Sequence, residues 1–178
     1  MRLLLLVGVA VSFSLTAPLQ KVQAQPCTEA GATAWYDQAA AWLVDTNSQH
    51  NDVTSASDEY TAAHNSASQY LSNPLNSSQC ALDAMAAAEA LAAQAGASRD
   101  EALDLSEDYS DFLIDALDDI DLSAWCAANA HINDAVNILS DIISALSDAE
   151  AEYDEATAAL AAVYECVETQ EPEPEPEP

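Results

Sequence analysis

The residues in this sequence that are best suited to chemistry are carboxylates repeating at helical spacing. One row steps by four and three residues, and a second row recurs every seven: Asp104, Asp108, Asp111, Asp115 and Asp118, then Asp134, Asp141, Asp148 and Glu155. On a helix each row lies on one face, where it could attract divalent cations weakly. Calcium prefers a loop that converges several oxygens on one point, whereas a straight helix splays them. We therefore interpret the rows as a solvated outer face, with low-affinity cation binding as the alternative.

Residues for enzymatic chemistry form no recognisable motif. The histidines lack the paired spacing of a zinc site; they are His50, His64 and His131. Only Gly31 and Gly96 follow residue 24, and glycine-rich phosphate loops and the G-x-S-x-G nucleophile turn are absent from the sequence. We predict no catalytic residue, no metal-ligand set and no cofactor, and therefore a protein that is not an enzyme.

The charge balance limits the partners that this chain can bind. The sequence has 31 acidic residues, three Lys or Arg and a formal net charge of -28. Nucleic acids and anionic membranes are bound through clustered Lys and Arg, so both are excluded as partners. We expect instead an extracellular protein or a cationic surface. Because like charges also repel within a compact fold, some other feature must stabilise it; adaptation to a saline environment is a further explanation of the acidity.

The N-terminal residues 1–24 have the pattern of a signal peptide. Arg2 is followed by an apolar run from Leu3 to Leu15, and Val22-Gln23-Ala24 fits a small-residue cleavage site. The apolar run is too short to span a bilayer, and no other stretch approaches the necessary length. The sequence thus predicts a secreted, extracellular protein with one domain over residues 25–168 and a Glu-Pro tail over residues 169–178.

Composition and periodicity predict an all-α domain. Alanine is abundant, and helix-breaking residues are nearly absent between Cys27 and Cys166. Coiled-coil seams of apolar residues at alternating steps of four and three run from Trp35 to Tyr70 and from Ile132 to Val167. The second of these seams combines a row from Ile132 to Leu160 with a row that includes Val136, Ile143 and Tyr164. The middle stretch is apolar-periodic through Leu105, Tyr109, Phe112, Ala116, Leu117 and Ile120, and Ser98 with Glu101 has the form of a capping box. With turns at 72–78 and 121–130, the pattern predicts an elongated antiparallel bundle of three long helices. The alternative is a bundle of four to five shorter helices, with breaks near Asn51 and at Gly96.

The helical layout also predicts the disulfide pairing. In a secreted chain, four cysteines imply two bridges. Three long helices place Cys27 and Cys126 at one end of the bundle and Cys80 and Cys166 at the other, so these pairs follow from proximity. Each bridge closes a long loop and contributes roughly 4 kcal/mol in the chain-entropy treatment. If the first helix folds back near Asn51, a Cys27–Cys80 bridge is the alternative.

Three further features have local interpretations. Asn76 begins the only N-x-S/T sequon, in the first predicted turn, and is a glycosylation site there. The alternating prolines of the tail favour an extended polyproline II conformation, with a role in solubility or in docking a cationic partner. The tryptophans are expected near the Cys27 end, as core residues or as the lining of a small apolar pocket: Trp35, Trp42 and Trp125.

Taken together, the signal peptide, the helical domain with four widely spaced cysteines and the sequence EPEPEPEP resemble the TsetseEP-domain family of insect secreted proteins. This resemblance implies two disulfides and a secreted protein, associated in some members with the gut. Arg99 is the only Lys or Arg after residue 24, and acidic residues follow it directly, so a digestive protease such as trypsin has one poor cleavage site. We therefore expect a non-enzymatic interaction or protective component of an extracellular fluid such as an insect gut lumen.

Overall fold

The structure, a computed structural model, describes residues 26–168, which fold into three long helices and a short fourth. The long helices are α1 (Glu29–Leu71), α2 (Gln79–Asp121) and α3 (Trp125–Ala159), and the short one is α4 (Ala161–Glu168). At 1.5 Å per residue, α1 and α2 are each about 65 Å long. The predicted all-α bundle of three long helices is confirmed, whereas the predicted signal peptide and Glu-Pro tail lie outside the described residues.

The long helices are continuous at the two places, near Asn51 and at Gly96, where the sequence allowed a break. Helix α1 runs through the polar segment around Asn51, and α2 runs through Gly96 without interruption. Side-chain caps fix the first turns: the Thr28 hydroxyl accepts a hydrogen bond from the Gly31 N–H, and the Ser78 hydroxyl accepts one from the Ala81 N–H. The capping-box reading of Ser98 and Glu101 is not realised, since both lie inside α2. The alternative with four to five shorter helices is therefore wrong.

Two short connections reverse the chain direction. A 3-10 helix over Pro74–Asn76 joins α1 to α2, within the predicted turn. The connection between α2 and α3 is tighter than the predicted segment 121–130, because α3 already begins at Trp125. It includes Ser123 with φ of 60°, a left-handed conformation that non-glycine residues seldom adopt. No glycine marks this turn in the sequence.

Cross-helix contacts establish the directions of the helices. The hydroxyl of Tyr109, which is fully buried, donates a hydrogen bond of 2.8 Å to the Ala39 carbonyl. Further along α1, His64 contacts Glu89, which lies earlier in α2, so the two helices are antiparallel. The Ser98 hydroxyl donates to the Glu152 carboxylate at 3.0 Å and joins α2 to α3. Helix α3 lies against both α1 and α2, which makes it the central element of the bundle.

The core is built largely from alanine. Every predicted seam position of α1 is buried or partly buried, among them Trp35, Val53 and Ala67. In α3 the predicted row from Ile132 to Leu160 is buried as expected. The second predicted row, which includes Val136, Ile143 and Tyr164, is only partly buried or exposed. The row that occupies the core beside the first is Ala128, Ala135, Ile142, Ala149, Ala156 and Val163.

Two disulfides close the two ends of the bundle. Cys27 is bonded to Cys126 at a Cα–Cα distance of 4.8 Å, and Cys80 to Cys166 at 5.6 Å. Both predicted pairings are confirmed, and the Cys27–Cys80 alternative is wrong. A small separate core lies beside the Cys80–Cys166 bridge and includes Met85, Leu160 and Val163. Covalent bonds therefore connect α1 to α3 at one end and α2 to α4 at the other.

Candidate interaction surface

The side of α2 that faces solvent carries a row of carboxylates. All five carboxylates of its predicted row, from Asp104 to Asp118, are exposed, which agrees with the interpretation as a solvated face. Since residues three and four apart are neighbours on a helix, adjacent members of the row repel one another. No lysine or arginine other than Arg99 lies in the described range, and its guanidinium is paired with the neighbouring Asp100 at 3.0 Å. Within residues 26–168, the row therefore has no Lys or Arg beside it to neutralise its charge.

A strip of aliphatic side chains borders the aspartates on the same helix. Leu103, Ile114 and Leu117 are exposed to 48%, 58% and 43%. By the helical repeat, all three lie on the edge of the exposed face next to α1, and the aspartates lie beyond them. We call these three residues the aliphatic strip, and the strip together with Asp104, Asp108, Asp111, Asp115 and Asp118 the α2 outer face. Leu117 had been expected in the apolar seam of this helix, and that expectation is wrong.

The second carboxylate row, on α3, is also exposed. Its members are Asp134, Asp141, Asp148 and Glu155. Residues seven apart on a helix are about 10.5 Å apart along the axis, too far for two carboxylates to share one cation. Within residues 26–168, no three His, Cys, Asp or Glu side chains are grouped so that they could hold a metal ion. Cation binding by these rows stays a prediction.

Carboxylates of two helices face each other across a shallow recess between α1 and α3. Asp52 and Glu59 of α1 line it together with Glu150 and Asp154 of α3. Partial burial raises the pKa of Glu150, and the charges of Asp52 and Asp154 raise it further. Carboxylates of both helices thus act on Glu150 in this recess. Repulsion among these carboxylates therefore opposes folding at this place.

The three histidines each bridge two helices rather than form a catalytic pair. His50 of α1 contacts the Ser106 hydroxyl of α2 at 3.2 Å, and burial lowers the pKa of this imidazole. His64 lies 3.0 Å from a carboxylate oxygen of Glu89. His131 of α3 lies 3.5 Å from Asp119 of α2. No spacing pattern in the sequence indicates these pairs, because their members are at least twelve residues apart along the chain.

The tryptophans do not form one pocket. Trp35 and Trp42 pack edge to face with ring centroids 5.7 Å apart, and the Trp35 indole N–H donates to Asn133 at 3.2 Å. Trp125 instead borders a separate, open recess. The residues that line this recess with it include Thr28, Glu29, Thr33 and Asp37. The core interpretation is thus correct for Trp35, whose side chain is buried. The expected joint lining of one small pocket is not seen.

The predicted glycosylation site lies in the α1–α2 connection. Asn76 is the last residue of the 3-10 helix and is partly exposed. Its side-chain amide donates a hydrogen bond of 3.0 Å to the Tyr70 carbonyl. One amide hydrogen would remain on a glycosylated nitrogen, so this hydrogen bond does not by itself preclude a glycan. Glycosylation of Asn76 stays a prediction.

Comparison with known proteins leaves the family open. No family model matches the chain, and searches of curated proteins and of solved structures also find no match. The TsetseEP-domain resemblance therefore stays a prediction. Among the described residues, no helix is both long and apolar enough to cross a membrane.

Proposed function

We propose that this chain is a secreted, non-enzymatic, acidic helical protein that works in an extracellular fluid such as an insect gut lumen. Its role there is that of a protease-resistant component that presents a charged surface to other molecules. The proposal combines a function predicted from the sequence with the stability that the fold can provide. The TsetseEP-domain resemblance supplies the setting.

The observation that carries this proposal is the position of Arg99. It is the only Lys or Arg after residue 24, and it lies in the interior of α2, between the two disulfide-linked ends of the bundle. A protease cleaves a chain that has opened locally, and the centre of a packed helix opens far less often than a loop. Asp100 and Glu101 add two carboxylates directly after the scissile bond. These features support resistance to trypsin-like enzymes.

Trypsin digestion of the oxidised protein tests the proposal. We expect wild-type protein to stay intact while the variant Leu75→Lys is cut rapidly at position 75. Leu75 is 82% exposed in the α1–α2 connection, so the substitution adds a trypsin site without disturbing the core. The two cleavage rates should differ by a factor on the order of 100 or more, because the connection opens at little cost in free energy and the centre of α2 does not.

Mass spectrometry of the fragments identifies the bond that is cut. Cleavage of the oxidised wild type after Arg99 as fast as the variant is cut at position 75 would contradict the proposed role. The matched variant Arg99→Gln tests whether any slow cleavage of the wild type occurs at Arg99. If cleavage occurs through Arg99, this variant abolishes it.

A further inference from the structure

The aliphatic strip reverses the usual distribution of large and small apolar residues. Ala102 and Ala116 are fully buried in the core, while the residues that follow them, Leu103 and Leu117, are nearly half exposed. Ile114 is more exposed than either leucine. Single exposed aliphatic residues need no explanation, but Ile114 and Leu117 are neighbours one turn apart on this edge. Leu103 lies on the same edge about 17 Å away, beyond Glu107 and Ser110, and the three together are a candidate contact surface. Packing of the bundle does not account for Leu103 and Leu117, because alanine fills the core positions that precede them. Before Ile114 the core position is already filled by Leu113.

The neighbouring charge determines what can occupy this surface. Five exposed aspartates lie beside the strip, so an approaching partner must bring positive charge as well as apolar groups. A second copy of the chain would bring a further formal charge of -28 to the contact. Anionic membranes and nucleic acids are repelled for the same reason. Charge complementarity therefore favours a cationic amphipathic partner.

We propose that the α2 outer face docks a cationic amphipathic helix. The strip extends over fifteen positions of α2 (103–117), about 21 Å, a length that a partner helix covers in four turns. Apolar side chains of the partner would cover Leu103, Ile114 and Leu117, and its Lys or Arg residues would lie over the aspartates. This inference rests on the proposed role as an extracellular protein that acts through its surface, and it names the class of partner.

Fluorescence anisotropy with a synthetic peptide tests the docking. The probe is an amidated 18-residue peptide of leucine and lysine with apolar residues at helical spacing, labelled at one end. Its control is a peptide of the same composition in an order that forms no apolar face. The full chain should bind the amphipathic peptide at least about tenfold more tightly than the scrambled one, since only the former can cover the strip. Equal binding of the two peptides would overturn the proposal.

Substitutions in the strip locate the contact. The triple variant Leu103→Gln, Ile114→Gln and Leu117→Gln keeps the charge and should weaken binding about tenfold or more. A matched triple variant removes exposed aliphatic groups elsewhere and should leave binding nearly unchanged: Val44→Gln, Leu75→Gln and Leu82→Gln. Circular dichroism checks that both variants remain helical. Equal losses in the two variants would show attraction without a specific site and would overturn the proposal.

A second pair of variants tests the charge on the same face. Asp104→Asn, Asp111→Asn and Asp118→Asn should weaken binding several-fold more than a matched set seven residues apart on α3, namely Asp134→Asn, Asp141→Asn and Asp148→Asn. Equal effects would assign the attraction to total charge and count against docking on α2. Sedimentation of the protein alone provides the last arm: a dimer that the strip variant dissociates would assign the strip to a second copy and overturn the proposal. Trypsin resistance is measured without peptide, so the proposed function and this inference can fail separately.

Discussion

Removal of a single disulfide is the most direct test of how this acidic bundle is stabilised. The bridges span sequence separations of 99 and 86 residues. In the chain-entropy treatment, they contribute about 4.7 and about 4.6 kcal/mol to the free energy of unfolding. Globular proteins have only about 5–15 kcal/mol in total. Loss of either bridge should therefore remove a large share of the stability, and the two losses should be nearly equal.

The perturbation is made by the double substitutions Cys27→Ala/Cys126→Ala and Cys80→Ala/Cys166→Ala, which change no charge. Urea unfolding followed by circular dichroism at 222 nm gives the free energy of unfolding at each ionic strength. Repulsion is screened over roughly 30 Å at 0.01 M salt and roughly 3 Å at 1 M. Both variants should therefore be far less stable than the wild type at low salt, and added salt should restore part of the loss.

Two results would refute this reasoning. A loss of less than about 1 kcal/mol in both variants at low salt would mean that the helix contacts alone withstand the charge. A stability that does not change with salt would mean that repulsion is not the opposing force. Peptide mapping of the oxidised wild type is the control, because the calculation assumes the pairing of Cys27 with Cys126 and of Cys80 with Cys166.

Three further substitutions test local features. Because burial and neighbouring carboxylates raise the pKa of Glu150, its charge destabilises the fold above that raised pKa and has no effect below the ordinary glutamate value. In urea unfolding, Glu150→Gln should thus raise the free energy of unfolding at pH 7 by a few tenths of a kcal/mol and leave it unchanged near pH 3.5. An equal gain at both pH values would contradict the charge of Glu150 as the cause. Gly31→Ala should destabilise, since a Cβ there would lie 2.5 Å from the Pro26 carbonyl oxygen. At Gly96 a Cβ would lie 3.9 Å from the Tyr153 hydroxyl, an ordinary contact, so Gly96→Ala should stabilise by up to about 1 kcal/mol in thermal or urea unfolding. The same sign for both glycine substitutions would refute this account.

The sequence was sufficient for the order of the helices because breakers are rare and the first turn, with Asn73 and Pro74, is well marked. Two cysteines at each predicted end then determined the pairing, since helices of this length leave no other partner within reach. The wrong row in α3 has a different origin. Alanine is compatible with a core position and with a surface position, so periodicity selected the larger residues Val136 and Ile143. The structure instead buries Ala135 and Ala149.

Only the charged part of the α2 outer face could be predicted from the sequence. The aspartates of α2 were identified as one helical face from their spacing alone. Leu103 and Ile114 did not stand out, because a leucine or isoleucine in a helix is normally assigned to the core. Their exposure depends on which edge of α2 contacts α1, and that is decided by tertiary contacts such as Tyr109 with Ala39. The contacts of the three histidines likewise depend on how the helices are aligned along one another.

The alanine-rich core connects the stability of this protein to its surface. More than half of the buried apolar residues in the described range are alanine, and each buries little apolar area. Helices can then approach closely, but hydrophobic burial per residue is small, and the repulsion of the acidic surface acts against it. The disulfides at both ends stabilise the fold without any increase in the buried apolar area. Ile114 and the two leucines of the aliphatic strip thus lie outside this alanine core, where the proposed partner helix would cover them.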